Sequence, residues 1–252
     1  MLSHYLKAAL TVLREEGVAE LHRETNAFVD RASQRLEFEC NTSKNALMNR
    51  IRYDAPPSAE SPIEVDPHRI THRKEGFSAD KVGLGKIKNG DWDREAALDP
   101  ITADRTVEGV RQRFEDEKSW EETVYYDKFK SKYYGNESRV RERCEYVDYL
   151  YDDISENGYK PASEADNKRD RSGYGQYLEV LVVIDRDGNI HHQGKGSHRL
   201  GIAKVLDIDI PVQVLVRHTQ WQALRDEVND AGLSEEHSEE LREHPDLQDV
   251  LE

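Results

Sequence analysis

The stretch LEVLVVIDRDGNIHHQGKGSHRLGIAKVLDIDIPVQVLVRH, residues 178–218, decides the fold. Its opening, Leu178–Ile184, is a short apolar run rich in β-branched side chains, the composition of a buried strand. Asp185-Arg186-Asp187-Gly188-Asn189 then carries the Asp-Gly chemistry of a hairpin turn, because glycine adopts positive φ at no steric cost. A second strand, Ile190–Gln193, leads into Gly194-Lys195-Gly196-Ser197-His198-Arg199. From Ser197 the apolar spacing becomes that of a helix, with Leu200, Ala203 and Val205/Leu206 near one face. Ser197 is the expected N-cap, since its hydroxyl can accept an amide of the first turn. After Asp207-Ile208-Asp209 the chain returns as a strand over Ile210–Val216.

A glycine loop that opens a helix suits an anion. Backbone N–H groups near Gly196–His198 and the positive end of the helix dipole both favour phosphate. Gly194 and Gly196 keep side chains out of a ligand's way, and Arg199 offers a two-pronged fork to phosphate oxygens. The same residues also describe an ordinary glycine turn capping a helix, with Arg199 in a surface ion pair.

The run Gly196-Ser197-His198-Arg199-Leu200-Gly201-Ile202-Ala203, after one strand and before another that holds Pro211, resembles the second conserved box of the ParB/sulfiredoxin-like superfamily. Partition proteins of that group carry G-E-R-R-x-x-A-A here, sulfiredoxins G-G-C-H-R, and free-serine kinases a G-x-H-R form. The turn Asn157-Gly158-Tyr159-Lys160-Pro161 and the run Val65-Asp66-Pro67-His68-Arg69-Ile70 are similar to other features of that superfamily. The resemblance covers residues 158–216 best and extends over 61–93. It implies an α+β fold, a small mixed β-sheet domain in which loop and helix start hold the phosphates of a nucleotide through Gly196, His198 and Arg199. Ser197 stands where sulfiredoxin has its reactive cysteine, which argues against sulfinic acid reduction. His198 stands where partition proteins have arginine, so a preference for CTP is not implied.

Composition sets the outer bounds. The 252 residues suffice for one medium domain with extensions. No run approaches the ~20 apolar residues of a membrane span, and the opening MLSHYLKAALTVL is interrupted by His4 and Lys7 and lacks a small-residue cleavage site. Cys40 and Cys144 form neither a disulfide framework nor a metal-ligand spacing, so a reduced, cytoplasmic protein is expected. Net charge is −15, with 11 acids against one base from Asp226 to Glu252, a tail expected to be solvated. The acidic, arginine-rich composition resembles that of halophilic proteins, and its sign disfavours sustained DNA binding.

Three parts are expected: an N-terminal helical segment over 1–55, a ParB/sulfiredoxin-like domain over 61–218 with a helical insertion at about 100–156, and a C-terminal helix with acidic tail over 219–252. Residues 3–38 read as two amphipathic helices broken at Gly17, and Asn41–Asn45 breaks the pattern before the extended Pro56-Pro57. The segment Arg69–Lys88 holds six Lys/Arg against two acids, either one wall of an anionic pocket or a solvated loop. Asp91 and Asp93 could hold Mg²⁺ with substrate phosphates, or flank a turn whose Trp92 plugs the core. A zinc set is rejected because adjacent His191 and His192 point to opposite faces of a strand. Helices are expected over 102–118 and 138–154. Between them Tyr125, Tyr126, Lys128, Phe129, Lys130, Lys132, Tyr133 and Tyr134 could stack bases or cover the insertion.

The functional expectation is nucleoside triphosphate binding with Mg²⁺, extending to hydrolysis or phosphoryl transfer. Gly194, Lys195, Gly196, Ser197, His198 and Arg199 would hold the phosphates with Lys160, and Glu164 and His198 would be the catalytic groups. A DNA-associated regulator or nuclease is the alternative, although the roughly 34 residues after 218 are acidic and too short for a helix-turn-helix reader. A non-catalytic interaction module, recruiting a protein partner or a second copy through the N-terminal helices, is the third.

Overall fold

A computed structural model of the protein describes residues 18–59, 61–161, 179–233 and 239–251. In chain order the elements are α1 (Val18–Arg52), β1 (Ile63–Val65), β2 (His72–Arg73), α2 (Ala79–Val82), β3 (Lys86–Lys88), β4 (Asp99–Pro100), α3 (Arg105–Phe114), α4 (Val124–Lys132) and α5 (Glu137–Asn157). Then come β5 (Val180–Ile184), β6 (Ile190–His192), α6 (Ser197–Leu206), β7 (Ile210–His218), α7 (Thr219–Ala231), α8 (Glu239–Arg242) and α9 (Gln248–Leu251). The chain is a mixed α+β protein, and among the described residues seven strands form one mixed sheet, in the order β1-β7-β5-β6-β2-β4 with β3 also on β7.

β5 and β7 are buried along their whole length and run parallel, which requires the crossover that α6 supplies. Alternation sends Val180, Val182 and Ile184 to one core and Leu181 and Val183 to the other. A bulge between Val182 and Val183 lets Leu215 and Val216 of β7 face the same side. Arg217 is thereby returned to the face that holds Ile184 and Trp221.

That face corrects the expectation of a solvated tail. Asp246 is 1% exposed and accepts from Arg217 Nη2 at 2.6 Å, Arg217 Nε at 3.0 Å and Trp221 Nε1 at 2.8 Å. Arg225 lies 3.6 Å from Asp246 and forks onto Asp249 at 2.9 and 2.8 Å. Leu247 enters the main core, and His244 Nε2 donates to Gly188 O on the hairpin turn at 2.8 Å. The acidic count concealed this because the anchors sit in a short 3₁₀ turn and four-residue helices, too brief to show a period.

Asn41–Asn45 does not interrupt the N-terminal helix either; α1 runs unbroken from Val18 to Arg52, while residues 1–17, with Gly17, lie outside the described residues. Asn41, Asn45 and Asn49 recur on one face and donate to the carbonyls of Asp80, Lys81, Val82, Leu84 and Gly85 at 2.8–3.1 Å. Thr42 Oγ1 accepts the Leu84 amide at 3.0 Å. With partners across the groove, these amides no longer compete for their own helix backbone, the usual reason asparagine breaks helices. Phe38 also joins the second core, so the helix belongs to the body rather than to a separate segment. The expected Pro56-Pro57 linker is likewise tied down, because Ala55 donates to Asp226 and accepts from Gln222, both at 2.9 Å.

The helices expected over 102–118 and 138–154 form over Arg105–Phe114 and Glu137–Asn157, with Val124–Lys132 a third between them. α3, α4 and α5 enclose Tyr125, Phe129, Val140, Cys144, Val147 and Ile154, and Ile202 of α6 completes that core. The aromatic stretch is therefore mainly packing, although Tyr134 is 95% exposed. Asp93 pairs with Arg186 at 2.6 Å and Trp92 packs on Phe77, so this turn is structural.

Asp246→Ala leaves Arg217 buried without its counter-charge and should cost about 3–5 kcal/mol, against about 1 kcal/mol for half-exposed Asp249→Ala, read by urea unfolding. Burial pushes the Asp246 carboxyl up, but Arg217 and Arg225 outweigh it and hold it below the carboxylate range. The Asp246 contribution is present above about pH 4 and is lost as pH falls through the depressed folded value. The Asp246→Ala variant should accordingly lose less stability on acidification than the parent.

Candidate functional site

The mouth of α6 is built by the β6–α6 loop. Leu181 N donates to Lys195 O at 3.1 Å, and His192 Nε2 donates to the same carbonyl at 3.1 Å, which pins the loop against β5. Gly196 is the N-cap, in the left-handed region at φ 85°, and Leu200 N closes the first helical bond to Gly196 O at 3.0 Å. Ser197 is therefore the first helical residue rather than the expected cap. Its hydroxyl instead donates to Asp104 Oδ2 at 2.9 Å. The amides of Ser197, His198 and Arg199 precede that first bond, the usual position for receiving an anion.

The two glycines have different reasons. A Cβ on Gly196 would lie 2.8 Å from Val180 Cα, so close packing on β5 requires glycine there. Around Gly194, at φ 100°, nothing stands within 4 Å of such a Cβ. Gly194 and Lys195 also border a groove of about 390 Å³ lined with Gln193, Glu75, Phe77 and Ser78.

The segment from Asp104 through α5 supplies side chains that the loop alone did not announce. Asp104 caps α3 through Thr106 N at 2.8 Å and lies 3.7 Å from His192 Nδ1. Burial pushes its carboxyl up, yet the Thr106 and Ser197 bonds and the charges of His192 and Lys128 hold it below the usual range. Lys128 donates to Thr106 Oγ1 at 2.7 Å; burial pulls its ammonium down and Arg73 lowers it further, against the opposing pull of Asp104. Arg143 lies 4.7 Å over the Phe129 ring, and its Nε is buried without a hydrogen-bond partner, as is Arg73 Nε. Arg73 also pairs with Glu75 and donates to Ala103 O at 3.4 Å.

His198 joins this cluster through a 3.0 Å bond between Nε2 and the Tyr125 hydroxyl. Burial, then Arg143 and Lys128, push its imidazole down to about 3. The ring is neutral at physiological pH and a poor proton acceptor, which fits ligand binding better than acid–base catalysis. Arg199 takes a different direction: its guanidinium lies 3.4 Å from Glu179 Oε2 and 5.5 Å over the Tyr159 ring, while Tyr159 donates to the same carboxylate at 3.1 Å. The ion-pair reading of Arg199 is the one realised, in a largely buried rather than a surface setting. Lys160 is engaged by Asp153 at 2.8 Å. Glu164 lies outside the described residues. Among the described residues no group of three or more His, Cys, Asp or Glu could hold a metal ion, and no helix is long and apolar enough to cross a membrane.

The loop residues Gly194–His198 are thus brought together, while Arg199 and Lys160 have other attachments. Asp104, Tyr125, Lys128, Arg143 and Arg73 complete the site. The basic run 69–88 signalled Arg73 and the lysine-aromatic run 125–134 signalled Tyr125 and Lys128, both open to a bland reading, while nothing local singled out Asp104 or Arg143.

Because unfolded His198 takes up a proton near its ordinary value and folded His198 does not until about pH 3, stability should fall as pH drops through this window. In His198→Gln, urea titrations between about pH 6.5 and pH 3 should show a pH dependence shallower by close to one proton. An unchanged slope would contradict the assignment. Comparison with protein-family models, with curated proteins and with solved structures finds no match for this chain.

Proposed function

We propose that the protein binds a phosphate-bearing small molecule over Gly194–His198, with a Mg²⁺-bound nucleoside triphosphate as the leading ligand. The observation that carries this reading is the local sign of charge. In a chain of net charge −15, Lys128 and Arg143 gather around His198 at the N-terminus of a ten-residue helix, with Arg73 adding to the field at Lys128. Asp104 answers them from within, and the depressed Lys128 and His198 reflect burial together with a positive surrounding field. An anion entering such a site relieves repulsion as well as gaining hydrogen bonds.

The reading keeps the ParB/sulfiredoxin-like assignment, supported by the order strand, hairpin, strand, glycine loop, helix, strand over residues 180–218. It reassigns Arg199, which orients the start of β5 through Glu179 and Tyr159 instead of gripping phosphate. Binding is favoured over turnover, since neutral His198 is a weak base. Mg²⁺ would come with the phosphates, as is usual for an ion that keeps most of its own waters.

Thermal unfolding with ATP, CTP, GTP, UTP and pyrophosphate, each with MgCl₂, tests this. A bound ligand at a hundredfold excess over Kd adds about 2.7 kcal/mol and raises Tm. Arg143→Ala and Lys128→Ala should each weaken the ligand at least tenfold, whereas Lys160→Ala should not. Absence of any shift, or a shift indifferent to Arg143 and Lys128, would sink the reading.

A further inference from the structure

α1 presents two faces. Phe38, Asn41, Thr42, Asn45 and Asn49 lie against the body. On the far side Val29, Leu36, Leu47 and Ile51 are 56%, 62%, 60% and 69% exposed, and Cys40 is exposed among them. At 3.6 residues per turn these five side chains fall within about 60° of each other and about 180° from the docked face. Ser33 and Ser43 fill the same strip and are also exposed, so positions 29, 33, 36, 40, 43 and 47 alternate steps of four and three. That spacing is the seam of one helix packed along another. No described part of the chain covers it, and the body occupies the opposite side.

We propose that this seam pairs with the same seam of a second copy, the two α1 helices running antiparallel across a two-fold axis at Cys40. The ends of the strip are symmetric about that residue: Val29 and Ile51 each lie eleven positions from Cys40, so reversal sets one against the other. It also sets Leu47 against Ser33 and leaves Leu36 about one helical turn from Leu47 of the second copy. Charge selects the direction. Beside the seam, Asp30, Glu37 and Glu39 precede Cys40, while Lys44 and Arg50 follow it in a stretch, 40–52, that holds no acid. Arg31, Arg35 and Arg52 lie about 130–170° from the seam, with Arg35 drawn onto Glu39 at 2.7 Å and Glu37 held by Lys81 at 2.6 Å. A parallel copy would lay like beside like, and a reversed copy lays basic half against acidic half. A two-fold contact is self-complementary in this sense. A lipid surface fits less well, because the strip is flanked by both signs of charge and the chain carries −15 overall.

Sedimentation equilibrium of the full chain under reducing conditions should give twice the 29.1 kDa chain mass. Leu36→Glu with Leu47→Glu should weaken association at least a hundredfold without loss of helical circular dichroism, since both side chains are solvent-exposed in the monomer. Mild oxidation should link two chains through Cys40 and fail in Cys40→Ser, as Cys144 is buried. In the Cys40→Ser background, Val29→Cys and Ile51→Cys together should cross-link between chains, and neither should alone. A monomer at about 100 μM, a dimer indifferent to the two glutamates, or a monomer that sediments with phosphatidylcholine–phosphatidylserine vesicles would overturn the proposal. Cross-linking by Val29→Cys alone would overturn the antiparallel direction.

Discussion

The parallel pairing of β5 with β7 constrains everything else in this molecule. Both strands are buried end to end, so their side chains have no solvent face on which to tolerate a slip. A parallel pair cannot be closed by a tight turn, and the chain between them must climb over the sheet as loop and helix. The mouth of α6 therefore lies against the start of β5, where Gly196 touches Val180. The bulge at Val182/Val183 is equally consequential, because it determines which core receives Arg217.

The helices α3, α4 and α5 change the chemistry of that mouth. Without α3, α4 and α5 it would offer main-chain amides and the Ser197 and His198 side chains to water. With them, Asp104 takes the serine hydroxyl, Tyr125 takes the histidine, and Lys128 and Arg143 enter a partly desolvated space. Electrostatics there are stronger for being shielded from solvent. The same helices bury Ile202 from the back of α6, so the residues that tune the site also hold its helix in place.

Much of the architecture was legible wherever a period or a turn signal extended over enough residues. The run 178–218 announced its strands, its Asp-Gly reversal and its helix, and the stripe Val140, Cys144, Val147, Ile154 announced α5. Two-residue strands such as β2 and β4 carry no period and were invisible. The asparagines of α1 misled because their helix-breaking tendency assumes local bonding, and here the carbonyls of residues 80–85 supply the bonds. For the site, the loop glycines and His198 were legible as types, whereas the direction of Arg199 depends on Glu179 and Tyr159, whose approach no local pattern encodes.

The docking of residues 244–247 has a consequence for truncation. Trp221, Arg217 and Arg225 wait for a counter-charge and an apolar lid that lie some 20 to 30 positions downstream. A chain cut short before residue 244 would leave two guanidiniums and an indole uncovered at the edge of the sheet. Such a chain would also lack the apolar side chain that Leu247 lays over the main core.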